Sequence, residues 1–342
     1  MTHLFLNETL RKMLVTNVNL LVQRGKGILA ADENPSSIVK RFQSINVENT
    51  AEHRRIYRQL LFTTPDIQQY LSGILMHEET FNQSTDSSIP FPMVLVQNGI
   101  LTGIKLDRGL ESLTINTNET TTLGFDDLEK RCEDFFNCGA RFAKWRCVFH
   151  INEAYDQPTD IAIENNAIIL ARYASICLVP VIQSEVISDG DHDIYACQCA
   201  LEKVLSSIFK ALSDYDVYLE GCVLKTNMVT CGRQAKKKDK CADIALATIT
   251  ALTRTCPAAL GGIIFLSGGQ SEEDATNNLN ELNRPVYQEK CPWILTFSYG
   301  RALQTSALKA WSGKRENEVN AQESFLKRAQ VNALASKGEY VK

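Results

Sequence analysis

Charged and amide side chains occur in this sequence inside or directly after short apolar runs, where hydrophobic residues are the rule. Asp32 follows Ile28–Ala31, Lys105 lies in Gly103–Leu106, Lys144 and Arg146 lie in Phe142–Phe149, Gln183 and Glu185 close Leu178–Glu185, and Lys225 ends Cys222–Lys225. Two more runs, Gly262–Leu266 and Trp293–Phe297, lead into Ser267-Gly268-Gly269 and Ser298-Tyr-Gly300-Arg301. One such lysine reads equally well as a surface residue on an edge strand. Three lysines, an arginine and acids at neighbouring positions read better as a shared pocket, because an unpaired buried charge is costly.

The available nucleophile in that set is an amine. Desolvation and nearby cations lower a lysine pKa, and the free amine then forms a Schiff base with a ketone. Lys225 is the best candidate, with Lys144 as the like charge that depresses it. The iminium would act as electron sink for making or breaking an adjacent carbon–carbon bond, with carboxylates moving the protons. The glycine-containing ends at Ser267-Gly268-Gly269 and Gly300-Arg301 offer backbone N–H groups and a guanidinium to an anion, which makes the substrate a sugar or keto phosphate.

Other chemistries lack support. His3, His53, His77, His150 and His192 form neither HxH nor HExxH, so no metal is expected. His192 sits in Asp189-Gly-Asp-His-Asp193, which lacks the length and terminal Glu of an EF-hand and reads as a capped helix start. Cys197 and Cys199 point apart on a helix and read as inert. Gly25-Lys-Gly27-Ile-Leu-Ala30 fits GxGxxA but precedes its apolar run, whereas a pyrophosphate loop follows a strand and opens a helix. No cofactor is expected.

The elements that must position these side chains alternate. Eight apolar runs, the seven above and Leu71–Met76, read as strands; between most of them lie helical stretches at Glu52–Phe62, Asp126–Asn137, Thr159–Ser175, Tyr195–Leu212, Ala242–Thr255, Glu272–Leu282 and Arg301–Lys309. Such alternation calls for a parallel sheet, and eight units fit a single α/β domain over 1–342: a (β/α)8 TIM barrel with an N-terminal helix and a C-terminal helical extension. In a barrel the polar strand ends converge at the C-terminal mouth. The pleat turns Lys144 with Arg146 and Gln183 with Glu185 inward, and Trp145 and Ser184 outward. The stretch from Phe5 to Val22 is too polar to span a membrane, and Leu10, Leu14, Val18 and Leu21 fit one helical face lying on the core.

Composition narrows the partners. A net charge of -4 from 36 basic and 40 acidic residues gives no broad positive field, which disfavours nucleic acid or an anionic membrane. Eleven cysteines without repeated spacing, and no secretory leader, suggest reduced thiols in the cytoplasm. The sequons at Asn7 and Asn118 are therefore not expected to carry glycans. The run Lys236-Lys-Lys-Asp-Lys240 reads as a solvated loop, with cytoskeletal contact as the alternative.

Six segments together resemble the class I fructose-bisphosphate aldolases of animals and plants, over about residues 15–340: Gly27-Ile-Leu-Ala-Ala-Asp32-Glu, Phe142-Ala-Lys144-Trp-Arg146-Cys-Val, Ala171-Arg-Tyr-Ala-Ser-Ile-Cys177, Leu219-Glu-Gly-Cys-Val-Leu-Lys225-Thr-Asn-Met-Val-Thr230, Phe265-Leu-Ser-Gly-Gly-Gln-Ser271 and Leu295-Thr-Phe-Ser-Tyr-Gly-Arg301. The resemblance implies a metal-free, homotetrameric glycolytic lyase that reversibly splits fructose 1,6-bisphosphate into dihydroxyacetone phosphate and glyceraldehyde 3-phosphate. It implies Lys225 as the Schiff-base lysine, Asp32 in proton transfer at the cleaved bond, Lys144 in carbinolamine formation and dehydration, and Glu185 holding the amine end of the site. It places Ser37, Lys40, Arg41, Lys105 and Arg146 toward the distal phosphate and hydroxyls. Ser267, Gly268, Ser298, Gly300 and Arg301 fall at the phosphate nearest the ketone.

The departures carry expectations of their own. Where that family reads Val-Glu-Pro-Glu, this chain reads Ile182-Gln183-Ser184-Glu185, so the principal general acid and base is replaced by an amide. A positioned acid–base group contributes about two to four orders of magnitude in rate, so slower turnover with retained binding is expected. The turn Glu33-Asn34-Pro35-Ser36-Ser37 differs from the usual Glu-Ser-Thr-Gly-Ser, about four residues are missing between Cys177 and Leu178, and the chain stops at Lys342 without the family's tail tyrosine. The alternative is a catalytically silent paralogue that binds sugar phosphates or assembles with active subunits.

Overall fold

The structure, a computed structural model, describes residues 6–115, 118–177 and 179–341. Phe5 and Leu178, where two expected elements begin, lie outside the described residues, as does His3. Eight parallel strands close into a barrel: β1 (Gly27–Ala31), β2 (Leu71–Met76), β3 (Leu101–Lys105), β4 (Phe142–Phe149), β5 (Pro180–Val186), β6 (Val223–Thr226), β7 (Gly262–Phe265) and β8 (Leu295–Tyr299). Each pairs with its sequence neighbours, and β8 closes on β1 through Ile28–Ser298 and Leu29–Tyr299.

The helices follow the expected stretches to within a few residues, at Ala51–Phe62, Leu128–Asn137, Asp160–Ile176, Ile194–Asp214, Cys241–Thr255, Glu272–Leu282 and Arg301–Trp311. Several start on side-chain caps: Thr50, Thr159, Asp193 and Ser271 each accept a backbone N–H of the first turn. Among the described residues six strands differ from their expected ranges by one or two residues, and two of these differences concern β3 and β8. β3 begins at Leu101, which pairs with Gly73 of β2, and ends at Lys105. β8 extends to Tyr299 because Ser298 and Tyr299 join the ladder to β1, which seats Ser298 in the barrel wall. The helix Pro35–Gln43, which buries only Ile38 and Phe42, and the ribbon Leu110–Ser112 with Thr120–Thr122, whose strands are three residues long, were not among the expected elements.

The barrel is filled at its N-terminal end and polar at the other. Helix Glu8–Leu21, capped by Asn7, buries Leu14, Val18 and Leu21 against the inward residues Ile28, Leu75, Phe142, Val181, Val223 and Ile264. That packing needs glycine at Gly73 and Gly261, where a Cβ would meet Leu21 Cδ1 at 2.7 Å and Val18 Cγ1 at 2.6 Å. The outward face of β4 carries Trp145, which packs between Phe125 and Tyr173 with ring centroids at 4.7 and 5.5 Å. At the C-terminus, helix Glu318–Ala335 buries Phe325 and Ala329, and its Asn332 accepts a hydrogen bond from Thr276 at 2.8 Å.

A Cβ at Gly261 would also stand 2.8 Å from the carbonyl oxygens of Glu220 and Cys222, which cannot yield as a side chain can. Gly261→Ala is therefore expected to lower unfolding stability by about 1–3 kcal/mol in urea titrations. Leu20→Ala, on the exposed side of the N-terminal helix, should change it by less than about 0.5 kcal/mol.

Candidate active site

The C-terminal ends of the strands surround a cavity of about 270 Å3. Its walls include Asp32 and Glu33 after β1, Lys105 of β3, Lys144 and Arg146 of β4, Gln183 and Glu185 of β5, Lys225 of β6, Ser267 and Gly268 after β7, and Ser298, Gly300 and Arg301 at β8. Helix Pro35–Gln43 adds Ser37 and Arg41. Strand register explains the convergence: Lys105 is level with Lys144, while Arg146, Gln183 and Lys225 are level across three adjacent strands. Successive inward residues on β4 and β5 thus build two polar layers.

Charge compensation within these layers is uneven. Lys144 Nζ contacts Asp32 Oδ2 at 2.8 Å and Asp107 Oδ2 at 3.5 Å. Burial alone would lower the Lys144 pKa, but Asp32 and Asp107 outweigh it and hold the ammonium charged. Lys105 meets Asp107 Oδ1 at 2.6 Å, yet burial, aided by Lys144, still lowers its pKa. Asp32 is pushed up by burial but more strongly down by Lys144 and Lys225, and remains a carboxylate.

Lys225 is 4% exposed and, among the described residues, enters no ion pair. Burial lowers its pKa from 10.5 to about 8, with the repulsion of Lys144 and Arg146 adding to burial and Asp32 and Glu185 opposing it. At pH 7.4 such a pKa leaves roughly a fifth of the side chain as free amine, against less than about 0.1% for an ordinary lysine. A buried, partly deprotonated amine is competent for attack on a carbonyl.

Beside it, Glu185 Oε2 accepts from Arg146 Nε at 2.7 Å and from Gln183 Nε2 at 3.1 Å. Burial favours the protonated form of Glu185, but Arg146 and then Lys225 hold its pKa below the usual value, so it is a weak base. Gln183 is buried, and its Oε1 is enclosed without a hydrogen-bond partner. On the opposite wall, Ser267 and Ser298 are buried and helix Arg301–Trp311 starts directly after Gly300. Arg301 enters no ion pair among the described residues, and burial, then Arg41 and Arg233, lower its pKa. A guanidinium without a carboxylate, two hydroxyls and first-turn amides suit a phosphate.

Lys40 is not part of the cavity. It is exposed on helix Pro35–Gln43, about 100° around the axis from Arg41, which faces inward. Three residues not singled out in the sequence do contribute. Glu33 bridges Arg41 at 2.6 Å and the buried Arg58 at 2.7 Å, and Asp107 joins Lys105 to Lys144. Asp107 and Glu33 stand at strand ends, which was the available signal; Arg58 lies on a helix and carried none. Asp193 caps helix Ile194–Asp214 as expected, and Lys238 of the basic run donates to the carbonyls of Gly232 and Arg233. Among the described residues no group of three His, Cys, Asp or Glu side chains could hold a metal.

Comparison with known proteins gives a consistent result. The family described as "Fructose-bisphosphate aldolase class-I" matches residues 13–342. The chain is 51% identical over 335 residues to the muscle-type fructose-bisphosphate aldolase of Lethenteron camtschaticum, covering 96% of this chain and 91% of that one. It is 50% identical to fructose-bisphosphate aldolase B of Gallus gallus, covering 100% of this chain and 94% of the relative. The crystal structure of fructose-bisphosphate aldolase from Plasmodium falciparum, solved with TRAP and a small-molecule inhibitor, superimposes with a TM-score of 0.95 at 46% identity, covering 98% of this chain and 97% of that one.

A lysine whose pKa is lowered by folding binds fewer protons in the native state than in the unfolded one, so it destabilises the fold below pH 8 and ceases to do so above about pH 10.5. Lys225→Met is accordingly expected to raise stability at pH 7 by up to about 3 kcal/mol, with the gain shrinking as pH rises from 8 to 10. Denaturant unfolding of both proteins across that range measures it.

Proposed function

The chain belongs to the class I fructose-bisphosphate aldolase family, and from that membership we propose that it cleaves fructose 1,6-bisphosphate through a Schiff base on Lys225. The supporting observation is the buried Lys225 amine, with its pKa near 8, in one cavity with the uncompensated Arg301 guanidinium. The neutral amine attacks the C2 ketone. Lys144, held charged by Asp32 and Asp107, supplies the proton for loss of water from the carbinolamine. The iminium then accepts the electron pair of the C3–C4 bond as the C4 hydroxyl gives up its proton, releasing glyceraldehyde 3-phosphate and leaving an enamine. Protonation at C3 and hydrolysis release dihydroxyacetone phosphate. Asp32, at 2.8 Å from Lys144, is the carboxylate assigned to the cleaved bond, and Glu185 orients the amine end through Arg146.

Ser267, Gly268, Ser298, Gly300 and Arg301 are assigned to the phosphate nearest the ketone. Arg41, Ser37, Lys105 and Arg146 are assigned to the hydroxyls and the distal phosphate, with Lys40 left as a solvent-side cation. Turnover is slow in this reading. Gln183 cannot act as an acid or base near neutral pH, and the carboxylates that line the cavity, Asp32, Glu33 and Glu185, are all weakened as bases by cations. The amide is nearly the shape of a glutamate and keeps its hydrogen-bonding groups, so binding is less affected than cleavage.

The homotetramer and a cytoplasmic location belong to the same proposal. Leu110, Leu123, Ile161 and Ile168 are exposed around the place where the ribbon packs on helix Asp160–Ile176 through Thr121–Asn165 and Asn166–Thr120 hydrogen bonds, an apolar face suited to a second copy. Among the described residues no helix is long and apolar enough to cross a membrane.

Borohydride reduction with dihydroxyacetone phosphate is expected to leave a stable adduct on Lys225, with trapping that accelerates as pH rises through about 8. An intact protein without adduct would favour the silent paralogue. Gln183→Glu is expected to raise fructose 1,6-bisphosphate cleavage at least about tenfold while changing KM less than kcat; an equal rate would remove the amide as the cause of slow turnover.

A further inference from the structure

Away from the active site, Cys132 and Cys177 bring their sulfurs to 2.7 Å although 45 residues separate them in the chain. Cys132 lies in helix Leu128–Asn137 and is partly exposed; Cys177 is buried at the C-terminal cap of helix Asp160–Ile176. Both thiols are free. They line one small cavity of about 20 Å3 whose other walls are mainly apolar, among them Ile104, Leu106, Phe135 and Ala143. By that measure roughly 10–15 Å3 already holds one water, so the space admits a molecule as small as hydrogen peroxide.

From this geometry we propose that Cys132 and Cys177 form a dithiol site for a small peroxide, which converts the pair to an intramolecular disulfide. The asymmetry of the two thiols sets the order of events. Cys132 is partly exposed and beside the charge of Arg131, which favours its thiolate, whereas burial disfavours the thiolate of Cys177. Arg131 is itself held in place by the carbonyl of Leu106 at 3.0 Å. The Cys132 thiolate attacks one oxygen of hydrogen peroxide, the O–O bond breaks, and the departing hydroxide takes up the thiol proton as water. The resulting sulfenic acid has Cys177 as its nearest sulfur. Attack by Cys177 forms the S–S bond and expels a second water, so two thiols and one peroxide give one disulfide and two waters. The small cavity and apolar walls favour hydrogen peroxide over bulkier disulfides such as oxidised glutathione.

Peroxide treatment of the full chain, followed by alkylation, proteolysis and mass spectrometry, tests the site. The expected result is a fall from eleven alkylatable thiols to nine, a linked Cys132–Cys177 peptide pair, and recovery of all eleven with dithiothreitol. Oxidised glutathione at equal concentration should give at least tenfold less of the linked pair. In Cys177→Ser, the Cys132 sulfenic acid should persist and be captured by dimedone; in Cys132→Ser, neither adduct nor link should form. Linkage between other cysteines, equal efficiency with oxidised glutathione, or full alkylation of Cys132 and Cys177 after peroxide would overturn the proposal. Because each variant removes only one sulfur, circular dichroism of the variants separates lost chemistry from lost folding.

Discussion

Three lysine ammonium groups converge in the mouth of this barrel, and the carboxylates there are too few to neutralise all of them equally. Asp32 and Asp107 serve Lys144, Asp107 also serves Lys105, and Glu185 is taken by Arg146. Lys225 is left with desolvation and distant attraction only, which is why its amine is the one that loses its proton most readily. The same partition keeps Lys144 charged. One cluster thus holds one amine that loses its proton readily and one that stays charged, the same residue type set apart by who stands next to each.

That partition holds only while the strands keep their register. A one-residue slip of β5 would send Gln183 and Glu185 to the helix side and bring Ser184 inward, breaking the level that runs from Arg146 to Lys225. Closure of the barrel prevents such a slip by giving every strand two partners. The N-terminal helix fills the opposite end with Leu14, Val18 and Leu21, so the apolar interior below the lysines stays dry and their desolvation is maintained. Stability and reactivity therefore oppose each other at Lys225: the packing that strengthens the fold also raises the cost of burying its charge.

Gln183 changes the chemistry of this arrangement more than its shape. Its Nε2 donates to Glu185, and its Oε1 is an acceptor without a donor. A buried carboxylate at the same position would add a negative charge beside Lys225 and Glu185 and would redistribute protons among all three. With the amide, that proton-accepting capacity is absent and the local balance shifts toward Arg146 and Lys225. The wall formed by Ser267, Gly268, Ser298, Gly300 and Arg301 stands at the ends of other strands and does not depend on this exchange.

Much of the architecture was legible in the chain because short apolar runs separated by helical periodicity leave few options besides a parallel barrel, and because inward and outward positions alternate along each strand. Charged residues inside such runs announce themselves, as Lys144, Lys225 and Glu185 do. The ribbon Leu110–Ser112 with Thr120–Thr122 left no such mark, since its strands are three residues long and the first is exposed. Nor could sequence separate Lys40 from Arg41, which differ by one step around a helix whose orientation is set by packing. The residue types that could do chemistry were determined by the sequence alone. Which lysine keeps its proton, and the links of Glu33 to Arg58 and Asp107 to Lys144, were decided by the tertiary structure, because pKa values and ion pairs depend on distances between strand ends and helices far apart in the chain.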